Sequence, residues 1–170
     1  MHQKASRVLV AYHSESGHTR QVAEEIAAQL SADIERIRPA RPLRSTLVRV
    51  LYALMDRDVA LETPEHDAGA YDLVVIGSPV WAARATPVVR SYLRACGPEL
   101  PAVALYVTLG SSGAERALDG MSRLVGTPPI ARMAIDDRDR REGDDMRKIH
   151  AFATEIEARM PTLSISASMG

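Results

Sequence analysis

The 170-residue chain has one cysteine, one tryptophan and one phenylalanine, and almost no net charge. Each shortage excludes something. A single thiol, Cys96, cannot build an internal disulfide framework and fits a reducing compartment. It falls in a helical apolar pattern with Val89 and Tyr92, the setting of a small buried hydrophobe rather than a nucleophile. No apolar stretch approaches the roughly 20 residues that span a bilayer, so no membrane partner is expected. Lys+Arg at 21 against Asp+Glu at 22 gives a net charge of −1, and no global field draws in nucleic acid or an anionic surface. The segment before the first apolar run has no signal-peptide core, so a cytoplasmic location is expected. No G-x-G-x-x-G follows the first strand, no Walker-type G-x-x-x-x-G-K occurs, and no Cys/His spacing suits a metal.

What is present is alternation. Hydrophobic residues at 46% and charged ones at 25% describe an ordinary globular chain, and the length suits one domain. Val8–Tyr12 reads as a buried strand, followed by a helix over residues 18–31 that carries Val22, Ala23, Ile26, Ala27 and Leu30 at helical spacing. Further strands are expected at 34–38, 71–77, 103–108 and 130–135, and further helices at Pro87–Cys96 and Ala114–Val125. A last helix starts at Asp144-Asp145 and carries Met146, Ile149, Ala153, Ile156 and Met160 on one stripe. Strict alternation implies an α/β fold, a parallel sheet with helices on both faces; five strands suit a doubly wound sheet, for which the order 2-1-3-4-5 is the working expectation. The domain is expected to span residues 1–160, with residues 161–170 a loosely ordered tail. The segment 39–70 is too long for a plain connection, and Leu43, Leu47, Val50, Leu51 and Leu54 place a helix in it. Between Arg36 and Arg57 six arginines face one acid, Asp56, a local charge of +5. That run is either a solvated face or a docking surface for an anionic group or partner.

The junction after the first strand carries the most information. Ser14-Glu15-Ser16-Gly17-His18-Thr19 would set hydroxyls and free backbone N–H groups around a helix start, where phosphate binds. The plain alternative is an ordinary Ser/Thr helix cap. In the expected strand order two more turns meet it. Residues 77–84 carry the only tryptophan, Trp81, and residues 108–113 form a small polar turn able to bring amides close to a ligand. A phosphate turn, an aromatic turn and an amide-rich turn together suit a planar ring with a phosphorylated arm.

Here the chain resembles the flavodoxin-like family of FMN proteins. The carrying residues are Ser14-Glu15-Ser16-Gly17-His18-Thr19, which fits the family's hydroxyl-x-hydroxyl-Gly-x-Thr loop. With them stands Tyr71-Asp72-Leu73-Val74-Val75-Ile76-Gly77-Ser78-Pro79-Val80-Trp81, followed by Pro87-Val88-Val89-Arg90-Ser91-Tyr92-Leu93. The likeness runs from about residue 8 to 160 and looks like the version found in small bacterial flavodoxin-like proteins. It implies that Ser14, Ser16, Gly17, His18 and Thr19 hold the FMN phosphate. It also implies that Pro79, Val80, Trp81 and Ala82 line the isoalloxazine ring, and that Thr108, Leu109, Gly110 and Gly113 touch its pyrimidine side. Trp81 either stacks on the flavin or plugs the gap under the inserted helix. His18 lends charge or only its N–H, His13 reads as a satisfied loop residue, and Arg84 as solvated charge or a contact for a nicotinamide phosphate.

Two departures from electron-carrier flavodoxins bear on function. No aromatic residue occurs in the third turn, and the chain is nearly neutral rather than strongly acidic. An uncovered flavin face would admit a flat nicotinamide or quinone. The expected activity is therefore an FMN-dependent NAD(P)H oxidoreductase with a small acceptor such as a quinone. The alternative is a one-electron carrier that docks to a redox partner protein through the basic insert. A homodimer would complete an open flavin face. A phosphoacceptor receiver domain shares the topology but needs acids where this chain has Tyr12-His13 and Gly77-Ser78.

Overall fold

The computed structural model describes residues 6–42 and 45–167. Six strands are β1 (Val8–Tyr12), β2 (Asp33–Arg36), β3 (Leu73–Trp81), β4 (Arg84–Ala85), β5 (Val103–Leu109) and β6 (Ala131–Asp136). The helices are α1 (His18–Leu30), α2 (Thr46–Met55), α3 (Pro87–Cys96), α4 (Ala114–Val125), α5 (Asp137–Glu142) and α6 (Asp145–Ala167). The parallel strands run β2-β1-β3-β5-β6, the expected doubly wound order, and the short β4 pairs antiparallel with β3. The central strand is apolar on both sides because both sides are covered: Leu73, Val74, Val75 and Ile76 have no exposed surface. Leu73 and Val75 pack with α1 and α6, while Val74 and Ile76 pack with α3 and α4. Each such side chain contributes about 1.5–3 kcal/mol on burial.

Register places the site. Tyr12 lies opposite Gly77, and Gly77 opposite Tyr106, so the connections that leave β1, β3 and β5 emerge side by side. A Cβ on Gly77 would fall 2.0 Å from the Tyr106 ring, so only glycine lets that ring cross the central strand.

Three elements differ from the sequence expectation. Strand β3 continues past Gly77 to Trp81 and returns through β4, so the expected aromatic turn is a hairpin. Helix α5 was not visible as a periodic pattern; it is a single polar segment closed by reciprocal bonds between Asp136 and Asp139. Helix α6 runs through Pro161 to Ala167, where a loose tail was expected. A proline inside a helix loses its own N–H bond and crowds the carbonyl four residues back, at a cost of about 3 kcal/mol, yet the backbone of α6 continues across Pro161. Residues 168–170 of that tail lie outside the described residues.

The insert between β2 and β3 is a closed excursion. Its neck is a bridge between Pro39 and Leu61, with Ala40 N–H bonded to Ala60 O at 2.8 Å. The returning chain is held by the buried Glu35 carboxylate, which accepts from the N–H groups of Glu65 and His66 and from His66 Nδ1. Leu43, expected on the α2 face, lies outside the described residues.

Candidate functional site

Helix α1 begins on Gly17, whose φ of 94° is left-handed and leaves an added Cβ with nothing within 4 Å. The Ser14 hydroxyl is turned inward and accepts from Gly17 N–H at 3.1 Å. No side chain caps α1 and no acid occupies its first turn. The other helices at this edge differ: Thr86 caps α3, Glu115 lies in the first turn of α4, and α5 has its capping box. Among the described residues, α1 alone of these presents an open and unopposed positive end. Ser16 and His18 are exposed beside it, with Ser16 Oγ 3.4 Å from His18 Nδ1.

The hairpin is built by two alanines in the left-handed region, Ala82 at φ 48° and Ala83 at φ 58°. A two-residue connection with this twist needs both residues there, and alanine accepts it at a cost of about 1–2 kcal/mol each. Buried hydroxyls hold the hairpin's base: Thr86 N–H donates to Ser78 Oγ at 3.0 Å, and Ser78 Oγ donates to Pro79 O at 2.8 Å. Pro79, Val80 and Trp81 are half-buried along its first strand, and Ala82 is exposed at its tip. Trp81 meets His13 edge-on, with ring centroids 6.4 Å apart. His13 is itself buried and directs Nδ1 at the Ile37 carbonyl, 3.1 Å away, which sets the proton on that nitrogen.

Direct contacts join the three connections. The Thr19 and Thr108 hydroxyls lie 2.7 Å apart and buried, fastening the first to the third. Tyr106, beneath them, donates its hydroxyl to Thr19 O at 3.0 Å, and complete burial holds its pKa well above the usual phenol value. A Cβ on Gly113 would fall 2.7 Å from Ala83 Cα, so the third connection rests on the hairpin tip. His13 N–H bonds Gly77 O at 3.2 Å and ties the first to the second. Leu109 is half-buried at the end of β5, and Gly110 is exposed, with its carbonyl 3.4 Å from Asp137 N–H. Every candidate residue therefore lies along one edge, though the Ser14, Thr19 and Thr108 hydroxyls spend themselves on internal bonds.

Arg36 is a contributor that sequence reasoning did not single out. Its Nη2 donates to Ser14 O at 3.1 Å, so a guanidinium braces the first connection from β2. It was hidden in the count of arginines. Tyr106 was missed too, although a glycine in a central strand signals that another group passes close. Near the third connection, burial pulls the Asp139 carboxyl upward, but its bonds to Lys148 and to Asp136 N–H outweigh this and hold it low. A cavity of about 520 Å³ lies at the opposite edge, lined in part by His66, Tyr92 and Cys96. Its acids Glu65, Asp67 and Glu99 would repel a phosphate, so it is not a second version of the site.

Residues 7–132 match the family model Flavodoxin_4, described as flavodoxin, and the chain belongs to this family. Its fold is similar to that of a flavoprotein from Lactobacillus acidophilus, solved in complex with FMN. The TM-score is 0.66 and the identity 20%, over 81% of this chain and 98% of that one. It is also similar to a WrbA-like flavodoxin from Agrobacterium tumefaciens, at TM-score 0.63 and 16% identity, over 92% and 98% of the two chains. A Streptococcus pneumoniae flavodoxin matches at TM-score 0.60 and 13% identity, over 91% and 99%. No match was found among curated protein sequences.

Proposed function

We propose that the chain binds FMN at this edge and acts as an FMN-dependent oxidoreductase, moving electrons from NAD(P)H to a small acceptor such as a quinone. The observation that carries the assignment is the bare, acid-free start of α1, bound through Thr19 and Thr108 to the two connections that would flank a ring. The residues fit the cofactor. Backbone N–H groups at the start of α1, with Ser16 and His18, would hold the phosphate, and Arg36 adds positive charge nearby. Hydrogen bonds to a charged group contribute about 1.5–3 kcal/mol each, so a few suffice without a lysine. Pro79, Val80, Trp81 and Ala82 would line the ring, while Thr108, Leu109, Gly110 and Gly113 would offer backbone to its polar edge.

Bound FMN would supply the chemistry, accepting two electrons as a hydride and giving them up to the acceptor. The chain's own part is to orient and to exclude. His13 fixes the Trp81 edge, Tyr106 props the phosphate loop as a neutral donor, and the hairpin and third connection hold each other in place. No aromatic side chain stands in residues 109–113, which leaves room for a flat nicotinamide or quinone. The Lactobacillus protein that was solved with FMN supports the cofactor. Anaerobic mixing of FMN-loaded protein with NADH or NADPH tests the activity: the flavin band bleaches, and added quinone restores it. A band that persists with both nucleotides contradicts the reductase assignment.

A further inference from the structure

We propose that α2, with the arginines at its two ends, seats the protein on an anionic membrane surface. Seven large hydrophobic side chains are exposed among the described residues, and five belong to this helix: Leu47, Val48, Leu51, Leu54 and Met55. Leu47 is 77% exposed and Leu54 58%. The spacing aligns Leu47, Leu51 and Leu54 in one stripe, with Val48 and Met55 beside it. The stripe presents on the order of 400 Å² of apolar surface, the size of a functional patch but about half of what each partner buries in a stable interface.

Charge and composition choose the occupant. Arg41 before the helix and Arg57 after it are exposed and have no ion pair among the described residues. The two acids just after the helix are exposed but paired with cations of α3: Asp56 lies 3.0 Å from Arg90 and 2.6 Å from Arg94, and Asp58 bonds Arg94. The unpaired charge beside the apolar stripe is therefore positive. A second copy packed on the same stripe about a two-fold axis would bring Arg41 of one toward Arg57 of the other. Leucine and valine are also under-represented among residues that anchor protein interfaces. A helix with leucines on one side and arginines at its margins matches the interfacial layer of a bilayer with acidic headgroups. The low net charge and the lack of a spanning run, from which no membrane partner was expected, are properties of the whole chain and do not register a local stripe. Helix α2 is fixed to α3, which follows directly on the hairpin, so a protein lying on α2 would hold its cofactor edge near lipid-dissolved acceptors. That last consequence rests on the function proposed above; adsorption itself does not.

The test is sedimentation of the full chain with vesicles of phosphatidylcholine, alone or with about a third phosphatidylglycerol, in ~0.1 M salt. Binding to the anionic vesicles is expected to be at least tenfold stronger than to neutral ones and to weaken as salt is raised. Leu51→Glu/Leu54→Glu is expected to lose binding at least tenfold, and Arg41→Glu/Arg57→Glu to lose the preference for acidic lipid. Both should keep the melting temperature and flavin absorbance of the parent, which separates a failed anchor from a failed flavin site. The proposal is overturned if the parent ignores anionic vesicles or if the leucine variant binds as well as the parent. It is equally overturned if that variant turns a dimer into a monomer in analytical ultracentrifugation.

Discussion

At the scale of single residues, backbone conformation and close approach do most of the work at the proposed site. Gly77 leaves the space that Tyr106 fills, and Gly113 the space that Ala83 fills. Between them Thr19 and Thr108 close a buried hydroxyl pair. Replacing either threonine with valine is expected to cost about 1–2 kcal/mol. The double replacement should cost clearly less than the sum, because both hydroxyls then leave together. Urea unfolding of the four proteins measures this coupling, and strict additivity would mean that the pair does not join the connections. Ala82 carries the opposite prediction. Its left-handed φ of 48° is relaxed by glycine, and its side chain is exposed. Ala82→Gly should stabilise by about 1 kcal/mol, raising the melting temperature by roughly 2–4 °C in a chain of this size.

At the scale of elements, the insert is joined to α3 through carboxylates, and this gives it a pH dependence. The hydrogen bond from Arg94 holds the Asp56 carboxyl below its ordinary value. A lowered carboxylate stabilises above its unfolded pKa and loses that contribution as pH falls through the folded value. The attachment of α2 should therefore weaken below about pH 4. Hydrogen exchange, corrected for its intrinsic pH dependence, should rise across residues 46–59 there while the sheet stays protected. Arg94→Ala should bring the same rise at neutral pH. What was legible in the sequence at this scale follows largely from periodicity. The five parallel strands were readable because buried strands are apolar runs and the helices between them are amphipathic; their order came from the doubly wound pattern and the family resemblance, not from periodicity. The hairpin was not, because Pro79 suggests that a strand has ended and Ala82-Ala83 is not a turn pair that announces a two-residue connection. Helix α5 has no apolar stripe; only the Asp136–Asp139 spacing could have marked it.

At the scale of the whole molecule, the doubly wound order brings three connections far apart in sequence to one edge, and direct contacts lock them there. The positions of the candidate residues were readable from motif and strand order together. Their division of labour was not: Ser14, Thr19 and Thr108 face inward, and Arg36 enters from β2. Such bonds depend on side-chain direction, which no spacing rule supplies. That this edge clasps a flavin by its phosphate is tested most directly by calorimetric titration of flavin-free protein with FMN and with riboflavin. Two charge-assisted bonds at about 1.5–3 kcal/mol each predict one FMN per chain and riboflavin at least a hundredfold weaker. Equal affinity for the two, or no heat with FMN at all, would contradict it.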